Sequence, residues 1–158
     1  MCSLSLSIFC IDTMRRYPFR LIRLIACLLL LQAGSAMAEL VVIVNVRSGV
    51  ALMTRSEVTN IFFGRYRQFF NGLEAQPVDL VDTHPDRARF YNGLVGKNLS
   101  DVNAYWSRQV FSGRMQPPLK LATPEDVLKW VASHPGGIGF IELSKADARV
   151  RVVHELSP

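Results

Sequence analysis

Between residues 40 and 153 the apolar positions change period several times, and each change marks an element. Leu40-Val-Val-Ile-Val-Asn-Val46 is a nearly continuous β-branched run, the pattern of a strand covered on both faces. Thr54-Arg-Ser-Glu57 then has capping-box spacing, with Val58, Ile61 and Phe62 on one helical face and Gly64 as a stop. Pro77-Val-Asp-Leu-Val-Asp82 reads as a second strand. A helix is predicted from about Pro85 to Val95, burying Phe90, Tyr91, Leu94 and Val95 and ending at Gly96. The next helix takes Ser100 as its cap and Val102, Tyr105, Trp106 and Val110 as its apolar stripe, until Pro117-Pro118 breaks the pattern. Thr123-Pro124-Glu125-Asp126 combines a cap, a first-turn proline and two acids, which suit the free N–H groups and dipole of a helix start. Val127, Leu128 and Val131 form the inner face of that helix, and Pro135-Gly136-Gly137 ends it. Residues 138–142 and 148–153 read as closing strands. Tyr66, Phe69, Phe70 and Trp106 are assigned to the core, as aromatics beside other apolar residues usually are. Strands alternating with helices predict one α/β domain with a mostly parallel sheet flanked by helices.

Ahead of this body stands a segment of another kind. Met14-Arg15-Arg16-Tyr-Pro-Phe-Arg20-Leu-Ile-Arg23 is basic, Leu24 to Leu31 is apolar, and Ala36-Met37-Ala38 has the small-X-small form of a cleavage site. Residues 1–38 therefore read as a signal peptide, with a periplasmic mature chain over 39–158. Residues 1–13 add nothing such a signal needs, so translation from Met14 would give a leader of ordinary length. The apolar run is far short of the ~20 residues that a spanning helix requires. Leu24-Ile-Ala-Cys27 has the look of a lipoprotein box, but Arg23 precedes it and the longest apolar stretch follows it. That order disfavours lipidation at Cys27, and the residues around Arg15-Arg16 fit a twin-arginine signal poorly.

Dividing the chain changes what its charge means. Four of the eighteen Lys+Arg and one of the thirteen Asp+Glu lie in the leader, leaving fourteen bases against twelve acids. The basic excess thus belongs mostly to the leader, which argues against nucleic acid as a partner. All three cysteines, Cys2, Cys10 and Cys27, also lie in the leader. A disulfide scaffold and a cysteine-ligated metal are excluded from the mature part.

At this stage the residues resemble a known family. Leu52-Met-Thr-Arg-Ser-Glu57-Val-Thr-Asn-Ile61-Phe62-Phe63-Gly64-Arg65 is similar to a Leu-Thr-x-x-Glu…Ile-Phe-x-Gly-Lys segment of periplasmic phosphate-binding proteins of ABC importers. Pro77-Val78-Asp79, Phe90, and Tyr105-Trp106 through Phe111-Ser112-Gly113 follow in the same order. His134-Pro135-Gly136-Gly137-Ile138-Gly139-Phe140-Ile141-Glu142 matches that family's Pro-Gly-x-Ile-Gly-Tyr-Val-Glu ending. The resemblance runs from about 40 to 153 and implies a single lobe of a type II periplasmic-binding-protein-like fold. It also implies non-covalent binding of inorganic phosphate or a similar oxyanion, for ABC-type uptake or sensing, with a permease, sensor or envelope receptor as partner. Two departures accompany it: the chain corresponds to one of two lobes, and Asp82-Thr83-His84-Pro85-Asp86-Arg87 replaces the family's Asp-Gly-Ser-Gly-Thr ligand loop.

That replaced loop is the most informative stretch for chemistry. A helix starting near Pro85 presents unpaired N–H groups and the positive end of its dipole, which together favour an anion. Thr83 and His84 precede the helix as donors, Asp86 and Arg87 lie in its first turn, and helical spacing sends Arg89 the opposite way, to solvent. The competing reading is a capped helix start in which Arg87 pairs with Asp82 or Asp86. Ser48, followed by Gly49 just after the first strand, is a further candidate, because α/β sheets commonly place ligand loops there. His84, His134 and His154 show no metal spacing, and Gly93 to Asn98 lacks phosphate-loop spacing. No catalytic triad, paired-acid arrangement or cofactor motif stands out, so the expectation is a binding protein without cofactor. One lobe offers half the donors of a two-walled cleft, so tight anion binding implies a homodimer or a partner. The alternative is a single-lobe docking module that has lost its ligand.

Overall fold

The structure is a computed structural model and describes residues 38–156; the leader and its cleavage site lie outside the described residues apart from Ala38. After β1 (Leu40–Asn45) and a short 3-10 turn (Val46–Ser48), the chain forms α1 (Arg55–Phe62), β2 (Gln76–Leu80), α2 (Pro85–Val95) and α3 (Leu99–Phe111). It continues through β3 (Leu119–Leu121), α4 (Pro124–Ser133), β4 (Gly137–Glu142), a second 3-10 turn (Leu143–Lys145) and β5 (Val150–Glu155). Among the described residues, no helix is long and apolar enough to cross a membrane.

Local chemistry accounts for most of these boundaries. The Thr54 hydroxyl accepts the Glu57 N–H at 3.3 Å while the Glu57 carboxylate accepts the Thr54 N–H at 2.8 Å, completing the capping box of α1. Gly96 closes α2 in the left-handed conformation at φ 64°, where a Cβ is strained. Pro124 opens α4 behind Thr123, whose side chain accepts the Asp126 N–H. Ser100, read as the cap of α3, is already inside that helix. Asn98 caps it instead, accepting the Asp101 N–H at 2.9 Å, because a cap reaches the N–H three residues on.

The strands form one five-stranded sheet in the order β3-β2-β4-β1-β5. β2 is parallel to β3 and β4, whereas β1 is antiparallel to β4 and β5, so β1 alone runs against the other four. All six residues of β1 are buried. A continuous apolar run therefore reported two covered faces correctly, and carried no information on strand direction. β3 has no counterpart in the sequence reading, since three residues at a sheet edge are too few to show a period.

Helices cover both faces of this α/β sheet. In β4 an added Cβ on Gly139 would lie 2.6 Å from Val127 of α4, so a side-chain-free strand position lets α4 approach. The next residue, Phe140, points to the opposite face and stacks on Phe90 of α2 with ring centroids 3.9 Å apart. Phe62 of α1 joins that pair at 4.8 Å from Phe90. Phe69 and Trp106 are buried as expected, but Tyr66, Phe70 and Val110 are exposed.

Candidate functional site

The start of α2 lies beyond the C-terminal end of β2, and its geometry is decided by one buried ion pair. Val78, Asp79 and Leu80 of β2 are all buried, so the Asp79 carboxylate needs partners inside the protein. It finds three: Arg87 Nε and Tyr91 Oη donate to Oδ2, each at 2.9 Å, and the Leu80 N–H donates to Oδ1 at 2.8 Å. Arg87 and Tyr91 are one turn apart on α2, and the guanidinium carbon sits 5.2 Å from the Tyr91 ring centroid. Burial pushes the Asp79 carboxyl above the usual aspartate range, against the opposing pull of Arg87, Tyr91 and the Leu80 N–H. Burial first, and then the Asp79 charge, push the Tyr91 phenol well above its ordinary value, so it stays a donor.

The rest of the Arg87 guanidinium turns to the mouth of a neighbouring cleft. Its Nη1 donates to Asn103 Oδ1 at 3.2 Å and lies 3.2 Å from Asp82 Oδ1. Asp82 also accepts from Lys120 Nζ and from the Asn103 amide, and the Lys120 bond is the main cause holding its carboxyl below the ordinary range. Two acids and two bases thus neutralise each other around a cleft of about 560 Å³, whose far wall includes Trp106, Val110, Phe111 and Pro118.

The sequence candidates fall into two places. Thr83, His84, Asp86 and Arg87 come together at the start of α2. Thr83 is exposed. His84 is the N-cap, its Nδ1 accepting the Asp86 N–H at 3.2 Å, so in that bond the ring's N–H is on Nε2. Asp86 is buried and accepts from Arg89 Nη1 at 2.9 Å. Arg87 is 1% exposed, its Nε turned inward to Asp79 and its Nη1 to Asp82 and Asn103 at the edge of the cleft. Arg89 stays partly exposed, as expected of the outward side, but is engaged there: it bonds Asp86 and the Ala38 carbonyl and approaches Glu142 at 3.8 Å. Ser48 stands apart. Its hydroxyl accepts the Val50 N–H at 3.2 Å, and the pairings Val44↔Ile138 and Gln76↔Gly137 put the end of β1 and the start of β2 at the same end of the sheet, with β4 between them. Because β1 is reversed, Ser48 and the start of α2 occupy opposite ends of the sheet.

Asp79 and Tyr91 were legible only as a strand residue and a core residue. An acid inside an apolar strand, eight positions before an arginine on an inward helical face, is the available signal for their pairing. No cluster of three or more His, Cys, Asp or Glu able to hold a metal occurs among the described residues.

No protein-family model matches this chain, and no curated protein does. Solved structures do match in fold. An ABC-type phosphate transport receptor from Vibrio cholerae aligns with TM-score 0.58 and 16% identity, over 73% of this chain and 45% of that one. A phosphate ABC transporter substrate-binding protein with bound phosphate from Clostridium perfringens aligns at 0.57 and 15%, over 73% and 44%. PstS from Borrelia burgdorferi aligns at 0.56 and 12%, over 76% and 49%. The fold is periplasmic-binding-protein-like. The chain spans less than half the length of each of these proteins.

Proposed function

We propose that this chain is an exported binding module of the cell envelope that takes a small oxyanion, phosphate first, without covalent chemistry, at the start of α2. The observation that carries the reading is its sharing a fold with phosphate-binding structures, with a helix N-terminus at the end of a parallel strand, where α/β sheets bind ligands. The donors left to an anion are the exposed Thr83 hydroxyl, His84 Nε2 and Lys120, while Arg87 contributes charge rather than contact. Asp82 stands among them and opposes an anion, so a second wall, from another copy or a permease or sensor, completes the site. Calorimetric titration with phosphate and sulfate, paired with sedimentation, tests this. We expect monomers to bind more weakly than micromolar and tighter binding to accompany dimers or a partner. Thr83→Ala should then weaken binding by roughly two- to ten-fold, the value of one hydrogen bond. Sub-micromolar binding by a strict monomer would refute the second wall.

A docking module without ligand is the second reading, and one observation favours it: the strongest candidate donor, Arg87, already engages Asp79, Asp82 and Asn103 through Nε and Nη1. Absence of heat with millimolar phosphate, in both monomer and dimer, would make that reading lead.

Export itself makes a separate prediction. The periplasmic protein should have the mass of a chain beginning at Glu39, following the Ala36-Met37-Ala38 site. A lipid-bearing species beginning at Cys27 would overturn it.

A further inference from the structure

Several stretches of the chain are free of acids and carry arginine, and two of them meet in the fold. Residues 58–73 contain Arg65 and Arg67 with no Asp or Glu, and residues 102–124 contain Arg108, Arg114 and Lys120 with none. The same stretches carry several exposed apolar side chains: Phe111 at 96%, Phe70 at 71%, and Tyr66 and Val110 at 51% each. Single exposed apolar residues need no explanation, whereas a connected group does.

The fold connects them. Tyr66 and Arg67 face Val110 and Arg114 across a cleft of about 640 Å³. Arg65, Tyr66 and Arg67 border a second cavity of about 450 Å³ together with Phe70. Val110 and Phe111 continue onto the cleft beside Asp82, and Arg108 is the helical neighbour of Phe111 one turn back. Gly64 permits the close seam, since a Cβ there would lie 2.9 Å from the Met115 sulfur and 3.1 Å from the Trp106 ring. Among the described residues, none of the four arginines is paired with a carboxylate. Glu74 and Glu57 border the cavities, and Glu57 is committed to the α1 cap.

We infer that this face docks a protein partner whose contact surface is carboxylate-rich around an apolar anchor. Charge complementarity sets the sign of the partner. The composition sets its class: aromatics, Met and Arg are the residues enriched in protein interfaces, whereas Lys is depleted, and arginine's planar fork pairs carboxylates two bonds at a time. An anionic lipid surface draws on lysine and arginine alike, and the unpaired bases of this face are arginines. Clefts flanking the protruding rings also suit inserted side chains of a folded partner. The inference is independent of whether the start of α2 takes an anion.

The test is site-specific photocrosslinking of the full chain in its own cells. A benzophenone side chain is placed at Phe70 or at Phe111, with Lys129 on α4 as the control position. Both face positions should yield one protein adduct, and the control none. Arg67→Glu with Arg114→Glu should reduce that adduct about ten-fold or more, while Arg151→Glu with Lys129→Glu should leave it intact, with unchanged thermal melting in both variants. The adduct site on the partner should be a carboxylate-rich segment, and the purified pair should separate as salt rises. Adducts at all three positions, no adduct, an adduct to a second copy of this chain, or an adduct insensitive to charge reversal would each overturn the inference. So would flotation with phosphatidylglycerol vesicles that is lost in the Arg67/Arg114 variant. Phosphate titration of the same variants reads the α2 site separately.

Discussion

Asp79→Asn is expected to lower the unfolding free energy by about 3–5 kcal/mol, the usual cost of removing one partner from a buried ion pair. The amide keeps the shape of the carboxylate but not its charge, so Arg87, 1% exposed, would lose the counter-charge bonded to its Nε at 2.9 Å. Asp82 and Asn103 remain at Nη1 but lie toward the mouth of the cleft. Tyr91 Oη would face an amide that cannot accept as strongly as a carboxylate. Replacing both charges, Asp79→Leu with Arg87→Met, should recover most of the loss, because an apolar pair of similar volume carries no desolvation penalty. Urea unfolding at neutral pH measures all three proteins. A loss below about 1 kcal/mol in Asp79→Asn would mean the pair is solvated. The same argument makes Arg87→Ala a poor probe of anion binding: its first effect is on the docking of α2 onto β2.

Phe90→Ala should cost about 3–5 kcal/mol by the same measurement, through lost burial plus the cavity left behind. Phe90 is fully buried, stacks on Phe140 at an interplanar angle of 5°, and meets Phe62 at 4.8 Å. It therefore joins α1, α2 and β4, and neighbours held by three separate elements can collapse only partly into the space. Phe111→Ala provides the contrast, since a ring that is 96% exposed should change stability by no more than about 0.5 kcal/mol. Comparable losses at both positions would indicate that Phe111 packs in solution.

Features set by near neighbours were readable in the chain. Thr54 and Glu57 bond each other three residues apart, Gly96 ends α2, and Thr123-Pro124 starts α4, because caps and stops depend on groups within one turn. Apolar spacing identified Phe62, Phe90, Leu94, Val127 and Val131 as core, all of them buried, since a helix turns the same face inward every three or four residues. Even so, spacing gave out at the end of α3, where Val110 had the right period and no element to cover it.

Whatever depended on distant segments was not written locally. The reversed direction of β1 came from its pairing with β4 and β5, and that reversal alone separated Ser48 from the start of α2. Arg87 sat on the inward face that its spacing indicated, yet its partner was Asp79 on the adjoining strand as well as the nearer Asp82. Arg89, on the outward side of α2, approaches Glu142 of the distant β4 at 3.8 Å as well as the local Asp86. A charged side chain settles on the counter-charge that packing brings nearest and shields most from water, and the sequence order of residues does not contain that distance.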